Sequence, residues 1–314
     1  MPNTERPLPM SCSQPDTETG PDWFVEAVAD TGQLRSVQVD GARVEYRVWG
    51  PEDAPTVVLV HGGAAHGGWW DHLAPLMAAG RRVAAIDLTG HGSSDSRPDY
   101  QFSTWADEVV AVGAAEGGSE RPYIVGHSMG GVVALTAAYR HVDTVAGTVV
   151  IDPPDWLVAE GGLPPRPAEL PPRRYHATRQ LAAERFRTKL RDRSRLAFVE
   201  RHVADRSVHE VAEGWSWRFD HEVTLHGSFP DELWGGPLGP LVLVLAERSL
   251  LSDAEAAELA RRLDVEAVTI RDAGHHVMLD QPLALLSCVE GVLQAWRTAT
   301  ASRRSAVRVE GRSR

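Results

Sequence analysis

Short apolar runs alternate with longer amphipathic stretches along most of this 314-residue chain. Of the candidate strands at residues 43–49, 56–60, 82–86, 123–125, 148–151, 241–245 and 265–270, most are short runs of Val, Ile and Leu with few polar breaks. Continuous apolar character of that length predicts strands covered on both faces. The stretches at 105–115, 130–140, 253–263 and 282–296 have amphipathic character and predict helices. Strand and helix take turns, so the pattern predicts an α/β fold with a mainly parallel sheet.

The rhythm breaks once, between Pro153 and Pro240, where Arg, Pro, Trp and His accumulate and no buried strand pattern occurs. Two amphipathic segments inside it, 177–190 and 196–205, predict helices, and 162–172 is too rich in proline for either element. An insertion at the C-terminal end of a strand predicts a helical cap over the sheet. The expected organisation is a disordered leader over 1–22, a core over 23–152 and 238–299, and a helical cap insertion over 153–237. A frayed basic tail is expected over 300–314, where Arg303, Arg304, Arg308, Arg312 and Arg314 stand against Glu310.

Charge narrows the function classes. Lys and Arg number 32 against 43 Asp and Glu, a formal net charge of −11, which disfavours nucleic acid and anionic membrane as partners. No apolar run is long enough to cross a bilayer, and the N-terminal residues lack the apolar core of a signal peptide, so a cytoplasmic protein is expected. The two cysteines, Cys12 in the polar leader and Cys288 in an apolar helical stretch, do not suggest a disulfide framework.

The most specific local signal is Gly126-His127-Ser128-Met129-Gly130, entered from an apolar run and left through Val132-Val133-Ala134-Leu135. Strand, sharp turn and helix in that order are what a nucleophile elbow requires, and they make Ser128 the candidate nucleophile. A second strand ends in His61-Gly62-Gly63-Ala64, where glycine permits close approach of backbone donors to an oxyanion. The amides of Gly63 and Met129 are the candidate donors, and His61 reads as a loop former. A third segment, Gly274-His275-His276, lies between the last strand and the last helix. His275 directly follows the glycine and is the candidate general base.

Together the segments His61-Gly62-Gly63, the Asp87 to Asp95 loop, Gly126 to Gly131 and Ala273 to Pro282 resemble the α/β-hydrolase fold family, over about residues 37–296. The resemblance implies a mostly parallel eight-stranded sheet flanked by helices, a Ser, acid and His triad, no metal and no organic cofactor. Asp87 and His91 match a loop that is mainly architectural in the family.

The acid is not where many relatives carry it. After the 241–245 strand they read Gly-x-x-Asp, and this chain reads Ala246-Glu247-Arg248-Ser249, with a hydroxyl where the carboxylate would stand. Other relatives place the acid one strand earlier, where this chain has Asp152 followed by Asp155. Asp152 ends an apolar strand and would need a partner such as His275, so it is the candidate triad acid. Glu247, Asp253 and Asp155 stay open as alternatives, as does a bare Ser and His pair.

His66, Trp69 and Trp70 after the oxyanion segment, with Trp215, Trp217 and Phe219 in the insertion, suit a bulky or aromatic small-molecule substrate, or else form the insertion's own core. Arg173, Arg174 and Arg179 offer charge to an anionic substrate or belong to an exposed helix face. The expected activity is hydrolysis of a carboxylic ester or lactone by a monomer or homodimer. Carbon–carbon hydrolysis, acyl transfer, a lyase reaction and non-catalytic binding are the alternatives.

Overall fold

The computed structural model describes residues 19–117, 120–159, 172–186, 196–225, 234 and 239–310. Most of the leader, Cys12, most of the proline-rich 162–172 stretch, residues 187–190 and the final Arg312 and Arg314 lie outside them.

Strands β1 (Gln33–Val39), β2 (Ala42–Trp49), β3 (Thr56–Val60), β4 (Arg82–Ile86), β5 (Tyr123–His127), β6 (Gly147–Ile151), β9 (Leu241–Arg248) and β10 (Ala267–Gly274) form one sheet. Its eight strands follow the order β1-β2-β4-β3-β5-β6-β9-β10. β1 pairs with β2 and β2 with β4 antiparallel, and every other pair is parallel. Helices α1 (Asp22–Ala29), α2 (Ala74–Met77), α3 (Phe102–Glu116), α4 (Met129–Arg140), α7 (Asp253–Leu263), α8 (Val277–Asp280) and α9 (Pro282–Glu310) flank it.

Alternation along the central strands builds two cores. Val58, Val60, Ile124 and Val150 point to one face, against Trp105 and Val109 of α3 and Val132 and Leu135 of α4. Val57, Leu59, Val125, Val149 and Ile151 point to the other, against Leu285, Val289 and Leu293 of α9. Strands buried on both faces favour apolar side chains, which is why β3, β4, β5 and β6 read as apolar runs with polar residues only at or near their ends.

Several expectations need correction. β1 escaped the pattern because it is half exposed and polar at Gln33, Arg35, Ser36 and Gln38. Its signal is the turn: Asp40 (φ 45°) and Gly41 (φ 76°) form the left-handed pair that joins a tight hairpin. The insertion is not wholly helical. Beside α5 (Arg179–Glu184) and α6 (Ala197–Arg206) it holds an antiparallel hairpin, β7 (Val208–Val211) and β8 (Gly214–Trp217), which carries Trp215 and Trp217. The basic segment expected to fray from residue 300 continues α9 as far as Glu310.

Candidate active site

Ser128 follows β5 directly and caps α4 with φ 53° and ψ −123°, a left-handed conformation costly for a residue with a Cβ. Glycine on both sides allows it. A Cβ at Gly126 would collide with the Gly130 carbonyl, and one at Gly130 with the carbonyls of His61 and Val60. The backbone is fixed across the sheet by the Ser128 amide, which donates to the Ile151 carbonyl at 2.9 Å.

His275 stands at the end of β10, past a register shift between Ile270 and Gly274 that lets the strand run on into the loop. The preceding amide, that of Gly274, donates to Asp280 Oδ2 at 2.7 Å. Asp152 ends β6 at φ 40°, its amide held by the Val244 carbonyl at 2.7 Å. Its side chain is fully buried.

The three side chains meet. His275 Nδ1 lies 2.7 Å from Asp152 Oδ2, and His275 Nε2 lies 3.0 Å from Ser128 Oγ. An ionised carboxylate only accepts, so Nδ1 carries the proton and Nε2 offers its lone pair to the Ser128 hydroxyl. The second carboxylate oxygen, Oδ1, accepts from the Ala246 amide at 2.9 Å. The strand that lacks the usual acid thus supplies a backbone donor to the acid on its neighbour. Gly63 sits against Met129, where a Cβ would come within 3.7 Å of Met129 Sδ. Met129 is the first residue of α4, and its amide has no intrahelical acceptor.

The family model described as "Alpha/beta hydrolase family" matches residues 57–287. The chain belongs to the alpha/beta hydrolase family. It is 31% identical over 303 residues to "Esterase Rv0045c" of Mycobacterium tuberculosis, a match that covers 88% of this chain and 98% of that protein. A solved structure of that esterase, described in terms of its transition metal inhibition, aligns with TM-score 0.65 and 26% identity over 88% of this chain and 100% of its own. The thioesterase domain from the curacin biosynthetic pathway aligns with TM-score 0.69 at 22% identity, covering 82% of this chain and 98% of that one, a likeness of fold.

In this alpha/beta hydrolase the alternative acids lie elsewhere. Glu247 is exposed and accepts from the Asp272 amide at 2.9 Å, Asp253 opens α7, and Asp155 is exposed and caps the Trp156 amide. Ser249 Oγ accepts from the Leu251 amide at 3.1 Å. Asp87 is architectural, as the resemblance implies: its two oxygens accept from the Gly67 and Ser93 amides. His61 folds back on its own loop, Nδ1 donating to the Gly62 carbonyl at 2.8 Å and Nε2 accepting from the Leu88 amide.

Burial disfavours the charged form of His61, His66, His127 and His276. The imidazole of His61 is pushed down to about 4 and those of His66 and His276 to about 3, because a charged ring there would lose its water. His127 is held well below the ordinary value for the same reason, with His275 and His276 adding repulsion. His127 Nε2 donates to the His275 carbonyl at 2.7 Å and so ties the Ser128 turn to the His275 loop.

Three supports escaped the sequence reading: the Ala246 amide, His127 and Asp280. A backbone amide has no sequence signature. Asp280 had one, an acid five residues beyond the candidate base within an otherwise apolar turn.

Of the aromatic residues, Trp69 and Trp70 are buried. Trp69 meets Phe186 of the insertion at 6.1 Å between ring centroids. Trp217 packs partly against the core of the sheet. Arg173 donates to Ser216 Oγ at 3.3 Å and Arg179 to the Asp205 carbonyl at 3.0 Å, so both brace the insertion. Among the described residues no helix is long and apolar enough to cross a membrane.

Proposed function

We propose that this protein is a serine hydrolase that cleaves a carboxylic ester or lactone through an acyl-enzyme on Ser128. The observation that carries the reading is the continuous hydrogen-bonded line from Asp152 through His275 to Ser128, with separations of 2.7 and 3.0 Å. Those distances are within reach for proton transfer without rearrangement. Family membership and the esterase relative matched over 98% of its length support the choice of ester chemistry.

Ser128 Oγ attacks the acyl carbon while His275 Nε2 takes its proton. The carbonyl oxygen becomes an oxyanion facing the Gly63 and Met129 amides. The imidazolium passes that proton to the leaving alcohol, and the acyl group stays on Ser128. Water, deprotonated by the same nitrogen, then releases the acid and restores the serine. Asp152 holds the proton-bearing Nδ1 toward itself and stabilises the transient positive ring. The scheme uses no metal and no organic cofactor.

The segment over 153–237 serves as a cap on this reading. Phe186 against Trp69 and the bridge between His91 and Phe219 support its seat above the C-terminal ends of the strands. A small-molecule acyl substrate with an apolar or aromatic part fits walls of that kind.

The test is turnover of a graded panel of p-nitrophenyl esters and aromatic lactones, with fluorophosphonate labelling of the same preparation. Wild type is expected to hydrolyse part of the panel and to label at Ser128, and Ser128→Ala to do neither. Folded wild-type protein that is not labelled would overturn the reading.

A further inference from the structure

Beside the hydrogen bonds of the proposed triad stand buried ring nitrogens without a hydrogen-bond partner among the described residues: Nδ1 of His127, and both Nδ1 and Nε2 of His276. A neutral imidazole has one N–H donor and one lone pair, and burying either unpaired is costly. Such groups in a folded protein call for a reason. The two residues that carry them stand together with His275. One ring nitrogen of each of His127, His275 and His276 lies within 4.8 Å of one ring nitrogen of each of the others. The ring centroids are 4.8 Å apart for His127 and His275, 5.6 Å for His127 and His276, and 5.0 Å for His275 and His276. The backbone fixes this grouping, because His127 Nε2 is bonded to the His275 carbonyl and His276 is the next residue of the chain.

We propose that these three histidines form a binding site for a divalent transition ion of borderline softness, such as Zn²⁺ or Cu²⁺, and that its occupancy reversibly blocks the proposed hydrolysis. The binding rests on the three rings alone, and only the inhibition rests on the serine-hydrolase reading. Imidazole donors select ions of this class over Mg²⁺ and Ca²⁺, which prefer oxygen. Three imidazoles with a water or hydroxide complete a tetrahedral zinc shell, with donors about 3.3 Å apart for Zn–N bonds of about 2.0–2.1 Å. The present cluster must therefore close by at most about 1.5 Å. Neither ring nitrogen of His276 has a hydrogen-bond partner among the described residues, so turning this ring, which packs edge-on to Trp69 at 5.3 Å, would close the gap without breaking a described hydrogen bond.

His275 can give only Nε2, since Nδ1–H is bound to Asp152. A carboxylate behind a metal-bound imidazole fixes the ring and raises its basicity, so Asp152 favours the bound ion. The cost falls on catalysis. A lone pair shared with the ion cannot receive the Ser128 proton, and the 3.0 Å contact between Nε2 and Oγ is lost. This ion is an inhibitor and takes no part in the proposed reaction.

The experiment titrates Zn²⁺ by calorimetry into metal-stripped Ser128→Ala protein, in which no ester chemistry contributes, and into the same protein carrying His276→Gln or His276→Phe. One equivalent should bind, and both His276 variants should weaken binding at least tenfold while circular dichroism stays native. In the Ser128 enzyme, Zn²⁺ should inhibit at the concentration that saturates the site, EDTA should restore turnover, and Mg²⁺ should do nothing. Equal binding with and without His276, or no saturable binding up to millimolar Zn²⁺, would overturn the site. Stoichiometric binding by a protein that hydrolyses no ester would uphold the site and remove the hydrolase reading instead.

Discussion

At the residue scale the decisive feature is where one carboxylate stands. Asp152 is fully buried, and its two oxygens are each committed, one to the His275 ring and one to the Ala246 amide. That double restraint orients the imidazole without spending stability on an unpaired charge. Asp152→Asn keeps the size of the side chain but presents an amide that can neither stabilise the imidazolium nor enforce the productive tautomer. It should lower kcat by roughly three to four orders of magnitude with little change in KM. Steady-state kinetics on protein checked by circular dichroism decides this, and near wild-type turnover would return the acid's role to another group. Glu247→Gln serves as the matched control: its carboxylate is exposed and bonded to the Asp272 amide, so turnover should stay within a factor of about two.

At the element scale the site is assembled from loop ends that the parallel strands β3, β5, β6 and β10 deliver to one edge of the sheet. Elements remote from that edge should affect stability and leave chemistry alone. Helix α7 offers a clean case. Ser252 Oγ accepts from the Glu255 amide and the Glu255 carboxylate accepts from the Ser252 amide, a reciprocal cap that satisfies two helix-terminal donors. Ser252→Ala should cost about 1 kcal/mol in urea unfolding, with kcat/KM unchanged. A loss of turnover matching the loss of stability would show that α7 communicates with the site. α6 lies at the other extreme. His202 and Arg206 both reach Asp71 on the core, at 3.2 and 2.9 Å, and His66 Nε2 meets Ser207 Oγ at 3.1 Å. These bonds pin the insertion beside the turn that carries Trp69.

For the whole molecule, the buried histidines set an acid limit. The rings of His61 and His72 are pushed down to about 4 and that of His66 to about 3, in each case chiefly by burial. Unfolded, each titrates near 6.5. Between those values the unfolded chain binds more protons than the folded one, so stability rises with pH there. It is fully present above about 6.5 and is lost as pH falls from there toward 4. The urea midpoint should therefore be clearly lower at pH 5 than at pH 7.5, and equal midpoints would show that these rings are not neutral and buried. The parallel α/β core is legible in the chain alone, because strands covered on both faces carry mostly apolar side chains. So is the Ser128 turn, because no residue but glycine fits at 126 and 130. β1 and the β7 and β8 hairpin were missed, since half-exposed strands of mixed polarity lack an apolar run, and for β1 only the Asp40-Gly41 turn marks the place. Which of the candidate carboxylates His275 meets is seen only in the folded chain. The chain favours Asp152, at the end of an apolar strand, and leaves Asp155, Glu247 and Asp253 open; what separates them is a distance of 2.7 Å set by the pairing of β6 with β9 and of β9 with β10. The grouping of His127 with His276 is of the same kind, because sequence separation says nothing about neighbours across a sheet.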